Sequence, residues 1–270
     1  MSETTPRELR AEDGRSAFGA DAANYDSARP EYPAEVYAVL LARCGLGAGT
    51  RTFEVGPGTG LATRRLLEAG ASPLVAVEPD ARLAAKLSER APAATVLNAA
   101  FEDAVLEDGA FDLGCAATSF HWLEQRGALA KVARLLRSGG WWAMWWNVFG
   151  DPAREDAFHE ATQPLLASLA TTPSWNPSWK HPFALDREAR FGDLQAGGIF
   201  DSIEDMRWSW TLVLDPAQVR ALYATYSHIT TMDEPERERV LDGLFDIATR
   251  EFGGRVERNM ITVLYMARRI

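Results

Sequence analysis

Two cysteines in 270 residues, Cys44 and Cys115, form no C-x-x-C pair and no other metal or redox spacing. A buried, reduced thiol is the expectation for each, which suits a cytosolic protein. No basic run exceeds the pairs Arg64-Arg65 and Arg268-Arg269, and the formal charge is −10. A chain that grips phosphodiesters needs a basic footprint, so no nucleic-acid partner is expected. The opening stretch MSETTPRELRAEDGRSAFG holds no apolar core of the secretory type. The longest apolar run, Trp141 to Trp146 with Val148-Phe149 beyond it, falls well short of the roughly 20 residues of a spanning helix, so no membrane role is expected. The four histidines, His121, His159, His181 and His228, lie far apart and show no H-E-x-x-H spacing, which disfavours a metal enzyme.

What is present reads as an ordinary globular chain, 47% hydrophobic and 24% charged. Its length fits one large domain, or one domain carrying an inserted cap. From residue 34 helix-period and strand-type segments alternate, the pattern of an α/β parallel sheet. Helices are expected over Ala34–Arg43, Thr59–Ala69, Ala81–Arg90 and Glu124–Arg137, and later near Asp186–Ala196, Pro216–Tyr226 and Pro235–Phe252. Strands are expected at Arg51–Val55, Leu74–Val77, Thr95–Asn98, Phe111–Ala116, Trp141–Trp146, Ser202–Leu214 and Asn259–Arg268. Asp151–Gly198, with its aromatic loop SWNPSWKHPF, reads as an insertion.

The segment FEVGPGTG, Phe53–Gly60, joins a strand to a helix, the context in which a glycine loop carries meaning. Gly56, Gly58 and Gly60 let the backbone approach a ligand, and the following helix turns its positive end toward it. A dinucleotide loop, G-x-G-x-x-G, would place its third glycine at Leu61. Glu54, just before the loop, would attract an amino group and repel a pyrophosphate. Glu78, at the end of the second strand, can accept the hydroxyls of a ribose. The set favours an amino-acid nucleoside, with an NAD(P)-dependent oxidoreductase as the alternative.

FEVGPGTG and VAVEPD resemble the first two motifs of the class I S-adenosylmethionine-dependent methyltransferases. The resemblance is to the bacterial small-molecule group that includes trans-aconitate and quinone-biosynthesis-type enzymes. FGADAANYDSARPEYP upstream, and FDLGCAATSFHWLE and LLRSGGWWAMWWN downstream, resemble further motifs of that group. The match runs from Phe18 to about Asp151, and more loosely over 200–269. It implies a Rossmann-like, seven-stranded, mostly parallel sheet whose last strand is antiparallel. The parts would be an N-terminal lid (1–33), a cofactor-binding core (34–150), a cap insertion (151–200) and the rest of the sheet with inserted helices (201–270).

The resemblance also implies S-adenosylmethionine as cofactor. Gly56, Gly58 and Gly60 would line its methionine part, with Glu54 near the amino group. Glu78 would hold the ribose and Pro79 would pack near the adenine. Where the group often has an acid for the adenine amino group, this chain has Ala100, which leaves the backbone and ring of Phe101 to hold the base. The backbone at Ala117 would meet the methionine end, and Tyr25 and Arg29 would lie on the lid. The implied activity is methylation of a small molecule, with oxygen favoured over carbon or nitrogen. An alternative is a protein that uses the cofactor without transferring its methyl group.

His121, after the fourth strand, is the candidate general base; its other reading is a structural histidine beside Trp122. Tyr223, Tyr226 and His228 could line an acceptor pocket, or pack a core. Trp175, Trp179, His181 and Phe183 could cap the acceptor, or form a small core of the insertion. In WWAMWW, alternation sends Trp141, Ala143 and Trp145 to one face of the sheet and Trp142, Met144 and Trp146 to the other. That split suits core packing and leaves Trp146 and Asn147 as candidates for the site.

Overall fold

In the computed structural model of the chain, the residues described are Asn24, 27–166, 172–174 and 181–270. Helix α1 (Ala34–Cys44) leads into β1 (Thr50–Val55), α2 (Leu61–Glu68), β2 (Ala71–Val77), α3 (Ala81–Arg90) and β3 (Ala94–Leu97). Then follow β4 (Phe111–Ala117), α4 (Gln125–Leu135), β5 (Leu136–Phe149), α5 (Ala157–Leu166), α6 (Arg187–Gln195) and β6 (Phe200–Leu214). The chain closes with α7 (Pro216–Tyr223), α8 (Ser227–Thr230), α9 (Glu234–Arg250) and β7 (Val256–Arg269).

Among the described residues the strands form one seven-stranded sheet in the order β3-β2-β1-β4-β5-β7-β6. The pairings β1–β2, β1–β4, β2–β3 and β4–β5 are parallel, and the last strands run antiparallel. This is the mixed, mostly parallel sheet expected. The order reverses between β1 and β4, so the loops leaving their carboxyl ends diverge and open a crevice, where ligands of open α/β sheets bind.

Several boundaries differ from expectation for local reasons. Helix α2 starts at Leu61 because Gly60 is its N-cap in the left-handed region, φ 92°. Strand β5 begins at Leu136, so the helix before it ends at Leu135; two adjacent leucines carry no period that marks the change. The single helix expected over Pro216–Tyr226 is broken at Tyr226, whose backbone is extended (φ −81°, ψ 130°). Helix α5 escaped the sequence reading because Pro164 lies inside it.

The chain divides into two compact units. The larger comprises Glu31–Asn147, His181–Arg207 and Thr262–Ile270. At its centre the ring of Phe53 is stacked with Phe101 (6.1 Å, 9°) and with Trp142 (6.1 Å, 19°) and meets the edge of Phe111. Gly114, its partner on β4, makes room for the ring, since a Cβ there would lie 2.3 Å from Phe53 Cζ. The tryptophans of β5 split between the faces as alternation requires. Trp142 meets Phe120, whereas Trp145 meets Tyr32 and Tyr37 edge-on. Both indoles are fully buried, and Trp146 nearly so.

The smaller unit takes its described residues from Met1–Pro30, Val148–Lys180 and Trp208–Ile261. Its core packs α5, α7 and α9 through Phe158, Leu222, Tyr223, Val240 and Leu244. Arg258 Nε donates to Asp156 Oδ2 at 2.9 Å in this core, and its guanidinium also donates to the Tyr223 hydroxyl. Both members of the ion pair are buried, at 3% and 5% side-chain exposure. Among the described residues no helix is long and apolar enough to cross a membrane.

Candidate active site

The site-bearing segments all leave the carboxyl edge of the larger unit's sheet. After β1, Gly56, Gly58 and Gly60 have φ of 62°, 61° and 92°, a run that residues with a Cβ rarely adopt. The loop is also tightly walled. A Cβ on Gly56 would lie 2.7 Å from Ser119 Cβ, and one on Gly60 2.6 Å from Leu87 Cδ1. Ser119 ties the two loops together, its hydroxyl donating to the Val55 carbonyl at 2.5 Å.

Glu54 is wholly buried at the end of β1. Its Oε2 accepts a 2.6 Å hydrogen bond from Thr63 of α2, while Oε1 has no hydrogen-bond partner. Burial pushes its carboxyl up to about 7, against the Thr63 bond and with help from the charge of Glu78. The hydroxyls of Tyr37 and Thr59 are likewise buried without partners. Tyr37 is close enough to Glu54 for their charges to interact, and burial raises its phenol well above the ordinary range. An unpartnered buried carboxylate oxygen is costly alone, and a cation carrying N–H donors would relieve it.

Glu78 is also buried, with a carboxyl pushed up to about 7 by burial against two backbone hydrogen bonds. Its Oε2 accepts from Gly58 N at 2.9 Å and its Oε1 from Asp80 N at 3.0 Å. Glu78 thus holds the glycine loop in place, and each oxygen keeps a further lone pair. Asp80 caps α3, accepting from the amides of Arg82 and Leu83. Asn98 donates to the carbonyls of Glu78 and Pro79 at 2.9 and 3.0 Å, joining the ends of β2 and β3.

Pro79 is exposed and Ala100 half-buried on adjoining loops. The ring of Phe101 differs from expectation. It is turned into the core against Phe53, and its carbonyl accepts from Lys131 Nζ at 2.6 Å. Lys131 also donates to the carbonyls of Glu102 and Ala104, at 3.1 and 2.6 Å, so one ammonium clamps the turn after β3. Ala117 ends β4. Thr118 follows at φ 54°, its N–H donating to Trp145 O at 2.7 Å and its hydroxyl accepting from Tyr32 at 2.9 Å.

His121 sits on the 3-10 turn Phe120–Trp122 and is 8% exposed. Its Nδ1 accepts from Trp146 Nε1 at 3.0 Å. Its ring neighbours are Trp122 and Phe183. Asn147 Nδ2 donates to Glu31 O, and its Oδ1 accepts from Thr262 at 2.6 Å.

The remaining candidates lie elsewhere. Arg29 belongs to the smaller unit, where it donates to Thr225 O at 3.0 Å and lies 5.0 Å over the Tyr226 ring. Tyr223, Tyr226 and His228 share that unit. The two tyrosine rings are 4.9 Å apart although Tyr226 has left the helix. Burial, with the charge of Arg29, lowers His228 to about 4. Tyr25, Trp175 and Trp179 fall outside the described residues. No group of metal-ligating side chains occurs among the described residues.

A family profile described as a methyltransferase domain matches residues 53–144, from the last residues of β1 into β5. An uncharacterized methyltransferase of Mycobacterium tuberculosis is 34% identical over 131 residues, 48% of this chain and 52% of the relative. An uncharacterized methyltransferase-like protein of Schizosaccharomyces pombe is 24% identical over 231 residues, 86% of this chain and 85% of the relative. The chain spans about half the length of the mycobacterial relative. Among solved structures, a candidate type II methyltransferase from Anaeromyxobacter dehalogenans superposes with TM-score 0.60 at 20% identity, covering 89% of this chain and 97% of the other. The phosphoethanolamine N-methyltransferase 2 of Haemonchus contortus gives TM-score 0.57 at 13% identity, covering 93% of this chain and 57% of the other.

The matched domain and the shared fold together support a class I S-adenosylmethionine-dependent methyltransferase. Sequence reasoning gave no role to Thr63, Ser119, Lys131 or Tyr32, each of which holds a loop or an acid in place; Tyr32 and Ser119 lie inside the motif segments, whereas Thr63 and Lys131 lie outside them. Only Thr63 left a trace: a buried strand acid needs a donor, and the first turn of the next helix can supply one.

Proposed function

We propose that the chain transfers a methyl group from S-adenosylmethionine to a small-molecule acceptor, with oxygen favoured over nitrogen or carbon. The observation that carries the cofactor reading is the buried, unpartnered Oε1 of Glu54 beside three glycines of positive φ. An ammonium group satisfies that oxygen where a phosphate would be repelled, which also argues against a dinucleotide. In this reading Glu54, Gly56, Gly58 and Gly60 take the methionine end, with the backbone of Ala117 beside them. Glu78 takes the ribose through its remaining lone pairs, while Pro79, Ala100 and the Phe101 backbone flank the adenine. Tyr25 and Arg29 are assigned to the lid, with residues 34–150 as the cofactor-binding core and 151–200 as the cap.

When bound, the cofactor supplies a methyl carbon made electrophilic by cationic sulfur. The chain then needs to orient the acceptor in line and to exclude water. A small acceptor is in keeping with the acidic balance of the chain. It also fits the Haemonchus contortus enzyme, which was solved with phosphomonomethylethanolamine and S-adenosylhomocysteine. Calorimetry with S-adenosylmethionine and S-adenosylhomocysteine tests the proposal, which expects both to bind; failure of both to bind rejects it. Formation of S-adenosylhomocysteine together with a methylated product separates transfer from a purely structural use of the cofactor.

A further inference from the structure

Glu54 Oε1, the Thr59 hydroxyl and the Tyr37 hydroxyl are buried oxygens without a hydrogen-bond partner. The fold of the larger unit gathers them on one side of its sheet. Glu54 pairs with Cys115, and Cys115 with Ala143, so these three side chains leave the same face. Trp145, next but one after Ala143, shares that face one step nearer the carboxyl edge. Tyr37 of α1 packs edge-on against Trp145 at 6.2 Å, and Arg65 of α2 lies 5.7 Å over its ring. The same helix supplies Thr63, whose hydroxyl donates to Glu54 Oε2 at 2.6 Å. Thr59 stands between Gly58 and Gly60, just before α2, and a Cβ on Gly60 would lie 3.5 Å from Thr63 Oγ1. The start of α2 is thus the common neighbour of the buried acid, the loop hydroxyl and the helix hydroxyl.

A buried tyrosine hydroxyl ordinarily finds a partner, so an orphan beside an orphan carboxylate oxygen calls for a ligand that serves both. Burial raises the Tyr37 phenol well above its ordinary range, with Tyr32, Glu54 and Glu31 adding and Arg65 opposing, so its hydroxyl stays neutral. A neutral hydroxyl offers one O–H and two lone pairs, whereas an ionised carboxylate only accepts. A simple cation would satisfy the three oxygens and strand both O–H groups. A simple anion would take the O–H groups and be repelled by Glu54. An α-amino-acid group carries three ammonium N–H donors and, one carbon away, a carboxylate that accepts. We infer that Tyr37 and Thr59 grip the α-amino-acid end of the cofactor together with Glu54, the two hydroxyls accepting from its ammonium and donating to its carboxylate. The inference rests on the cofactor reading above and adds two specificity-determining residues to it, one of them on a helix outside the glycine loop. An adenosine thioether without the amino-acid end leaves these oxygens unserved, so the site selects the intact cofactor against it.

Calorimetry on Tyr37→Phe and Thr59→Val, with S-adenosylhomocysteine and with methylthioadenosine, tests the inference. Methylthioadenosine keeps the adenosine and the sulfur and lacks the amino-acid end. Each variant is expected to bind S-adenosylhomocysteine about tenfold or more weakly, and to bind methylthioadenosine within about twofold of the wild type. An unchanged affinity for S-adenosylhomocysteine overturns the inference, as does an equal loss for both ligands. Thermal unfolding without ligand gives a readout that a merely structural hydroxyl would move the other way. Neither hydroxyl has a protein partner to lose, so each variant should unfold no earlier than the wild type. A lowered transition would reveal a hydrogen bond within the protein and overturn the inference. Failure of the wild type to bind S-adenosylhomocysteine rejects the cofactor reading itself, which is a different outcome from wild-type binding that the variants leave intact.

Discussion

Changing pH titrates Glu54 in place, and the structure says which way stability moves. Desolvation raises the buried carboxyl from 4.5 to about 7, with the Thr63 bond opposing and the charge of Glu78 adding. Between those values the folded chain holds a proton that the unfolded chain has released, so stability falls as pH rises. The contribution is complete below 4.5 and gone above about 7. At about 1.4 kcal/mol per pH unit of displacement, the whole window is worth about 3 kcal/mol. Glu54→Gln keeps a neutral amide throughout and removes this slope. Urea unfolding of both proteins between about pH 5 and about pH 8 reports Glu54 together with its coupling to Glu78, because carboxyls that do not interact with Glu54 cancel in the difference. The glutamine variant should gain on the wild type by about 3 kcal/mol across that range. Two curves of constant separation would refute the buried, half-satisfied carboxyl. Binding of a cationic ligand beside Glu54 should also expel its proton near pH 7, visible as a dependence of calorimetric heat on buffer.

Gly60→Ala forces a Cβ onto a residue at φ 92° and to within 2.6 Å of Leu87, so thermal unfolding should show a loss of about 1–3 kcal/mol; an unshifted transition would contradict the loop geometry. Asp156→Ala leaves Arg258 buried without its carboxylate and should cost about 3–5 kcal/mol by denaturant titration, and a loss below about 1 kcal/mol would count against the ion pair. Lys131→Met releases three carbonyls of the turn after β3 and should weaken S-adenosylhomocysteine binding by about 3–10-fold, with β1 and its glycine loop unchanged; an unaltered affinity would remove Lys131 from the positioning of that turn.

The glycine loop and the acid ending β2 were legible because both rest on residue types with few substitutes at such positions. The division of WWAMWW was legible for a different reason, since alternation along a strand fixes faces whatever the neighbours are. Ends and breaks were less so. The passage from α4 to β5 falls between Leu135 and Leu136, which suit either element, and Tyr226 leaves its helix without a glycine or proline to mark it. One partner of His121 was beyond reach for a further reason: Trp146, whose indole donates to its Nδ1, lies 25 positions away on the strand next to β4.

The gap opposite Phe53 bears on how this sequence can vary. Gly114 and Phe53 are register partners, and the ring of one occupies the place of the other's missing side chain. Substitutions at the two positions are therefore interdependent: alanine at 114 is admissible only with a smaller residue at 53. A smaller residue at 53 would in turn loosen Phe101 and Trp142, which stack on the ring. Glu54 is the next residue along β1, so its place at the sheet edge is set by a pair buried in the core. In related chains the two positions should drift together or stay fixed, and an isolated change at either one should appear first as altered cofactor affinity.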